Sequence, residues 1–237
     1  MATPTLLHVT QVAPYRDGPA GVHGVLDQSA TAVTQLAESA GLSGRTVTDV
    51  RTVDPDDLAN VRVLSLFTIG ETPWSPAQRA ALLDGVRSGR TSVMAIHSAT
   101  DSCHGWDEYG QLVGARFAGH PWTRTCTLDV VDPGHPAMAH LGPTWSWHDE
   151  IYTFSGLRSD AQVLLTARAS ELSDEGAGAP ATDVPLSWCF TEGRGRVFST
   201  SLGHFPHAWE SPDYLRHLAG GLDWVLGASD SLDASDN

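Results

Sequence analysis

The chain is poor in cysteine and in basic residues. Its three cysteines, Cys103, Cys126 and Cys189, are an odd number without CxxC spacing, which argues against a disulfide framework and against a thiolate zinc site. Lys and Arg number 14 against 28 Asp and Glu, so the net charge is -14. Because such a charge repels nucleic-acid phosphates and anionic lipids, we expect neither nucleic acid nor membrane as a partner.

Long apolar runs and nucleotide signatures are also missing. The first twenty residues contain only Leu6, Leu7 and Val9 as an apolar run and have no basic start, which fits neither a signal peptide nor a membrane anchor. Neither GxGxxG after the first predicted strand nor GxxxxGK[ST] occurs. We therefore expect a cytoplasmic protein with one domain over 1–228, followed by a disordered acidic tail over 229–237.

The first hundred residues alternate between strand and helix patterns. Short apolar segments bounded by turn residues predict strands at Leu6–Val9, Val61–Phe67 and Ser92–Ile96. Apolar residues at helical spacing predict helices over 26–40 and 76–89 between them. This alternation is typical of a doubly wound parallel sheet with helices on its faces.

After Tyr109 the pattern becomes rich in strands. A hairpin turn and a final amphipathic helix are also expected in this half of the chain. The predicted elements are strands at Thr125–Val131, Ala161–Thr166, Pro185–Phe190 and Arg196–Thr200, a hairpin turn at Thr191–Gly195, and a helix that begins after Ser211 and ends at Gly227.

Histidines stand at predicted strand ends, where ligands of open α/β sheets bind. His97 directly follows the strand Ser92–Ile96, and the small or polar residues behind it allow a sharp turn like that of a nucleophile elbow. His204 also follows a predicted strand, while Pro121 holds His120 in an extended conformation. Three convergent histidines, or two with a carboxylate, make an open site for zinc or a similar divalent metal. No tight ligand spacing supports such a site, so the sequence leaves metal-bound and metal-free chemistry open.

Two acids, Asp149 and Glu150, lie in the aromatic stretch 145–152. Burial there would raise a carboxyl pKa and suit it to general acid or base work. The alternative is a structural carboxylate that holds a neighbouring loop through backbone hydrogen bonds. Trp106 is among several tryptophans near these candidates whose flat rings suit a sugar-sized substrate, although such rings also serve as core. Cys103 is expected to be inert, since His97 takes the place of a nucleophile.

Dispersed motifs together resemble the ThuA-like, or trehalose-utilisation, family over Leu6 to Gly227. The motifs are His97–Asp101, Phe117–Pro121, His135–Pro136, Asp149–Tyr152, Pro185–Trp188, Gly193–Val197 and Gly203–His204. The resemblance implies a fold similar to class I glutamine amidotransferases: a flavodoxin-like three-layer α/β/α arrangement with a mainly parallel central sheet. The family lacks the amidotransferase cysteine and has its HSA motif at that strand end, here at His97, so no glutaminase activity is expected.

Carried over residue by residue, the resemblance implies a pocket formed by His97, Asp101, His120, Asp149, Glu150, Tyr152 and His204. Asp101, Trp106, His120, Tyr152 and His23 are the expected substrate-binding residues. The chain departs from the family at its amino end, where Tyr15-Arg16-Asp17 replaces a Tyr/Phe-Arg-His run and His23 lies further along. This departure argues against assuming trehalose itself as the substrate.

The histidines and carboxylates predict an enzyme that works by proton transfer, and the resemblance implies a sugar or keto-sugar as its substrate, converted by isomerisation, elimination or hydrolysis. Glu150 or Asp149 is the base, His97 and His204 polarise the carbonyl directly or through a metal, and His120 assists as ligand or acid. The competing hypothesis is a non-catalytic sugar-binding protein on a degenerate amidotransferase-like fold. The expected partner is a small sugar-like molecule, and a partner oxidoreductase and a homo-oligomer remain open.

Overall fold

One sheet of nine strands organises the chain. The computed structural model describes residues 3–19, 21, 23–173 and 178–227; the predicted tail at 229–237 lies outside them. The strands are β1 (Thr5–Val9), β2 (Ser43–Val47), β3 (Val61–Leu66), β4 (Ser92–Ile96), β5 (Arg116–Val130), β6 (Thr144–Ser155), β7 (Gln162–Ala167), β8 (Val184–Glu192) and β9 (Gly195–Thr200). The helices are α1 (Leu26–Ser39), α2 (Pro55–Leu58), α3 (Pro76–Ser88), α4 (Asp107–Val113), α5 (Pro206–Glu210) and α6 (Pro212–Leu226), with 3-10 turns at Val50–Thr52, His97–Asp101 and Ala169–Glu171.

The sheet is parallel in one half and antiparallel in the other. Its strand order is β2-β1-β3-β4-β9-β8-β7-β5-β6. Pairing is parallel from β2 to β9 and antiparallel from β9 to β6. The expectation of a mainly parallel sheet therefore holds for half of it only, because direct connections such as the predicted β8–β9 hairpin reverse the chain without a crossover helix.

Local sequence signals set the ends of the helices. Ser75 and Gln78 form a capping box at the start of α3, in which the Ser75 hydroxyl accepts from the Gln78 N–H and the Gln78 side chain accepts from the Ser75 N–H. Gly89 ends the helix at a φ of 82°, a conformation that suits glycine. The predicted cap at Ser211 likewise begins α6. None of the described helices is long and apolar enough to cross a bilayer.

Two clusters of buried apolar side chains stabilise the sheet. One cluster contains Val33 of α1 and Leu218 of α6. The other contains Leu82 of α3 and Leu112 of α4. Both clusters draw on β1, β3, β4 and β9, so the strands whose carboxyl ends carry His97 and His204 are fixed by packing on the helices.

Two histidines are fully buried in these cores. The His8 ring nitrogens lie 2.9 Å from the Ser65 hydroxyl and 3.2 Å from the Ser29 hydroxyl. The His217 ring nitrogens lie 3.2 Å from the Ala137 carbonyl and 3.0 Å from the Thr200 hydroxyl. Burial lowers the pKa of each imidazole to about 3, so both are neutral in the folded protein.

Acid is therefore expected to destabilise the fold through these histidines. A histidine in the unfolded chain titrates near pH 6.5, so below that pH the unfolded chain binds protons that the folded chain excludes. For each such histidine, the free energy of unfolding then falls by up to about 1.4 kcal/mol per pH unit as the pH is lowered. His217→Gln should reduce the slope of unfolding free energy against pH by about that amount between about pH 6 and pH 4. Urea titrations at several pH values measure the slope. His148→Gln, at an exposed histidine, is the control, and an unchanged slope in His217→Gln would contradict the argument.

Candidate active site

His97 occupies a sharp turn at the carboxyl end of β4. Its φ is +50°, a left-handed conformation that is uncommon for a residue with a Cβ and that occurs at functional sites. The side chain is nevertheless 1% exposed. The predicted sharp turn after β4 thus directs an imidazole inward, to the end of the sheet where the parallel strands terminate.

Hydrogen bonds fix the orientation and the tautomer of His97. Its Nδ1 lies 2.8 Å from the Ser201 carbonyl, which can only accept, so Nδ1 carries the proton. Nε2 is then an acceptor, 3.0 Å from the Tyr152 hydroxyl and 3.2 Å from His204 Nδ1. Burial, with His23 nearby, holds the pKa of His97 well below its usual value. The ring is therefore neutral, and its Nε2 lone pair accepts from the Tyr152 hydroxyl on the side of the other site residues.

Strand β6 supplies the opposite wall. Side chains alternate across a strand, so Glu150 and Tyr152 share one face. Glu150 Oε2 lies 3.2 Å from His204 Nδ1 and 3.7 Å from His97 Nε2, and its Oε1 lies 3.7 Å from His120 Nδ1. The carboxylate is thus surrounded by three imidazoles.

The Glu150–His204 pair has complementary pKa shifts. Burial alone raises the pKa of Glu150, but the hydrogen bond from His204 and the neighbouring histidines outweigh it, so the pKa lies below its usual value. The same bond raises the pKa of His204 against the opposing effect of burial. Glu150 is therefore ionised at neutral pH, and His204 holds its proton more tightly than a free histidine does.

Asp149 points to the other side of β6 and is fully buried. Its Oδ2 accepts from the Gly203 N–H at 2.8 Å and from Trp147 Nε1 at 3.0 Å. Its Oδ1 accepts from the backbone N–H of Glu150 and of His204. Burial raises the pKa of Asp149, and these four bonds oppose the rise. The geometry matches the structural carboxylate weighed above, because it fixes the backbone that carries His204.

A bulge in β5 brings His120 to the site. The pairing with β6 shifts register between Gly119 and Trp122, at the segment where Pro121 has no N–H to donate. Bulges of this kind re-aim side chains near active sites. The imidazole is about half exposed, at 47%, so it lies at the rim and not in the interior.

These residues surround a cavity of about 210 Å³. It is lined by Tyr15, Gly21, His23, Ile69, Asp101, Phe117, His120, Glu150, Tyr152 and His204. Asp101 accepts a hydrogen bond from the Tyr15 hydroxyl at 2.5 Å and lies 2.9 Å from His104 Nε2. An open cavity of about 470 Å³ continues on the far side of the Tyr15–Asp101 pair.

His23 enters the cavity from the long loop after β1. Its ring centroid lies 5.0 Å from that of His97 and 5.4 Å from that of His204. Both ring nitrogens are buried, and neither has a hydrogen-bond partner among the described residues. Burial lowers the pKa of His23 to about 4, so the ring is a neutral donor of lone pairs.

The structure brings most of the predicted site residues together. His97 contacts Glu150, Tyr152 and His204, and Glu150 contacts His204. His23, Asp101 and His120 line one cavity together with Glu150, Tyr152 and His204. Trp106 differs from the expectation of a substrate-binding residue: it is 4% exposed, beneath the Arg79 guanidinium, and packs in the core. Asp149 also does not line the cavity.

Sequence reasoning missed Tyr15 and Ser201. Tyr15 was named only as part of the run Tyr15-Arg16-Asp17 and not as a site residue; its place in the long loop 10–24 was a further signal, because loops of that length often line a site. Ser201 contributes through its backbone carbonyl, which no residue type reveals. The predicted histidine set also changes: the candidate ligand atoms of His23, His97 and His204 lie within 4.8 Å of one another, and His120 faces the other oxygen of Glu150.

The fold is mixed α/β with a large sheet, of the amidotransferase-like kind. A GMP synthase protein of Thermoplasma acidophilum has a similar fold, with a TM-score of 0.54 at 10% identity over 99% of this chain and 100% of that chain. A ThuA-like protein of Bacteroides uniformis has a TM-score of 0.75 at 19% identity, over 93% of this chain and 90% of that chain. A ThuA-like protein of Parabacteroides merdae has a TM-score of 0.73 at 19% identity, over 95% of this chain and 90% of that chain.

Residues 15–225 match the ThuA family, described as trehalose utilisation. The chain belongs to this family, and the description supports a role in carbohydrate metabolism. The resemblance stated from the motifs is thereby confirmed. A search of curated protein sequences found no match to this chain.

Proposed function

We propose that the protein is an enzyme of carbohydrate metabolism that transfers a proton on a keto-sugar or a related polyhydroxy carbonyl compound. The observation that carries the proposal is the Glu150 carboxylate, 3.2 Å from His204 on the wall of a polar cavity. We also propose that the fold is the flavodoxin-like three-layer arrangement, with the active site at the carboxyl ends of its parallel strands.

The charges of the pair suit a base and an acid that act together. Glu150 is ionised because its pKa lies below the usual value, so it is ready to accept a proton from a carbon next to the carbonyl. His204, with a raised pKa, stabilises the negative charge that develops on the carbonyl oxygen. The Tyr152 hydroxyl donates its proton to His97 Nε2, so on this cavity wall its oxygen can accept from a substrate hydroxyl.

Isomerisation and elimination need only the substrate, and net hydrolysis also uses one water. Glu150 takes the proton, the C–H electrons form a carbon–carbon double bond, and the carbonyl electrons move to oxygen, which His204 protonates. For isomerisation, Glu150 returns its proton to the former carbonyl carbon while the hydroxyl on the deprotonated carbon gives its proton back to His204 and becomes the new carbonyl. For elimination, the enol O–H returns its proton to His204 and the carbonyl re-forms, while the substituent on the next carbon leaves with the proton held by Glu150. Addition of water across the resulting double bond gives net hydrolysis.

The cavity limits the size of the substrate. Its volume of about 210 Å³ is below the roughly 300 Å³ at the lower end of sites for drug-sized ligands. A single sugar ring is the appropriate size for it. Asp101, oriented by Tyr15 and His104, offers carboxylate oxygens to sugar hydroxyls.

Proton exchange tests the proposal directly. Wild-type protein is incubated in D2O with a panel of ketoses and keto-glucosides, and ¹H NMR follows the signals of the carbons next to the carbonyl. We expect loss of one such signal or appearance of an isomer or elimination product. A rise in melting temperature without exchange would instead favour the non-catalytic sugar-binding protein. Neither exchange nor stabilisation across the panel would contradict both.

A further inference from the structure

We propose that His23, His97 and His204 bind one divalent metal ion, Zn²⁺ or a similar first-row ion, inside the cavity. The inference deepens the proposed function, rests on the same site and changes one assignment: with the ion bound, His204 Nδ1 would be a ligand without a proton, and the ion would replace His204 in stabilising the charge on the carbonyl oxygen. The three residues come from separate segments: the loop after β1, the end of β4 and the segment after β9. Their candidate ligand atoms nevertheless lie within 4.8 Å of one another.

The spacing of two of the nitrogens is that of metal ligands. His97 Nε2 and His204 Nδ1 lie 3.2 Å apart. Two nitrogens bound tetrahedrally to zinc at about 2.0–2.1 Å stand about 3.3–3.4 Å apart. The pair therefore needs little movement to share one ion.

His97 has the support that a metal-ligating histidine receives. Such a ring usually donates its other N–H to a carboxylate or a backbone carbonyl, which fixes the tautomer and directs the free lone pair at the metal. The Nδ1 of His97 donates to the Ser201 carbonyl at 2.8 Å. Nε2 is therefore held as the ligand atom.

His23 provides an independent observation. Both of its ring nitrogens are buried and have no hydrogen-bond partner among the described residues. Buried polar atoms are rarely left in that condition, and a bound ion is one of the recognised reasons. A metal ligated by His23 satisfies one of these nitrogens.

The electrostatics of the cavity favour a cation. Its lining includes the carboxylates of Asp101 and Glu150 but neither lysine nor arginine among the described residues. Neutral imidazoles are common ligands of zinc, copper, iron and nickel. Three histidines leave a coordination position for a substrate oxygen, as in catalytic zinc sites, and Glu150 Oε2, 3.2 Å from His204, is close enough to be a further ligand or the base beside it.

The proposed set contains His23 where the sequence predicted His120. The ring of His120 is 47% exposed, and its Nδ1 lies 3.7 Å from the opposite oxygen of Glu150. It is therefore the matched control: another histidine of the same cavity, in contact with the same carboxylate, that is outside the ligand group.

Metal titration tests the site without reference to activity. Protein freed of metal with EDTA is titrated with ZnCl2 in a calorimeter, and elemental analysis counts the bound ion after gel filtration. We expect one zinc per chain in the wild type and in His120→Ala. His23→Ala and His204→Ala should each bind zinc at least about 100-fold more weakly. Urea unfolding of each variant confirms that it is folded, and His23→Gln replaces any variant that is not.

Two results would overturn the metal site. One is a wild type that binds no zinc, and also no manganese, iron or nickel, under the same conditions. The other is wild-type zinc affinity in both folded variants, His23→Ala and His204→Ala. Proton exchange by a wild type that binds no metal would keep the proposed function without the metal site, and zinc binding without proton exchange would keep the metal site without the proposed function.

Discussion

Glu150→Gln is expected to lower the turnover of the keto-sugar by about 10²- to 10⁴-fold, the usual contribution of a positioned general base. The substitution keeps the shape of the side chain and its ability to accept a hydrogen bond from His204. It removes the carboxylate that accepts the substrate proton. Because the sugar hydroxyls still meet Asp101, we expect the loss mainly in kcat and only a small change in KM. Proton exchange rates and steady-state kinetics measure the two parameters.

The control for this prediction is Glu210→Gln. Glu210 is exposed at the end of α5, and the same chemical change there should leave kcat within about twofold of the wild type, as expected for surface positions. A Glu150→Gln protein with nearly wild-type kcat would eliminate Glu150 as the base. Since Glu150 is close to the proposed metal ligands, zinc content is measured on the same sample.

Asp149→Asn is expected to reduce the free energy of unfolding by about 3 kcal/mol, because a buried ionised acceptor and its hydrogen bonds are lost. The carboxylate accepts four N–H groups. In the variant one carboxylate oxygen is replaced by an NH2 group, which donates hydrogen bonds. The two N–H groups that this oxygen accepted then face another donor and lose their acceptor. The Gly203–His204 backbone then loses its anchor, and turnover falls because His204 is displaced.

Urea unfolding followed by tryptophan fluorescence measures this loss. Asp84→Asn is the control, since Asp84 is 72% exposed in its ion pair with Arg90 and should change stability by no more than about 0.5 kcal/mol. An Asp149→Asn protein as stable as the wild type but inactive would point to the other role weighed for Asp149, that of the catalytic base.

Local sequence signals were enough to predict three strands of the parallel half of the sheet, but not β2 at its edge, where no residue is buried. The strands β1, β3 and β4 are short apolar segments bounded by turn residues, and the capping box at Ser75 marks the start of α3. The strand-end position of His97 and His204 followed from the same pattern. These features depend on residues that are neighbours in the sequence, so they can be predicted from one sequence.

Strand β6 is absent from the elements predicted above, although its aromatic stretch marks it as unusual. Its exposed and buried positions alternate as in a half-buried strand. However, the buried side at its centre is Trp145, Trp147 and Asp149, and a buried carboxylate breaks the apolar pattern. Two of the four hydrogen bonds that make its burial possible come from Gly203 and His204, more than fifty residues away.

The proposed metal site contains His23 and not the predicted His120, for a similar reason. His120 lines the cavity as the motifs predicted, but at the bulge in β5 its ring lies at the rim. His23 lies on an irregular loop, whose path over the end of the sheet is set by contacts with Phe67, His97 and His204. Such non-local packing is invisible to periodicity and spacing.

The contacts that join the site residues span long stretches of chain. His97 and Ser201 are 104 positions apart, His97 and His204 are 107 apart, and His97 and Tyr152 are 55 apart. Contacts of such long range form late, after the loops between them have closed. A refolding chain should therefore regain its helices before any activity, and the recovery of catalysis would report the time at which β6 and β9 dock onto the end of β4.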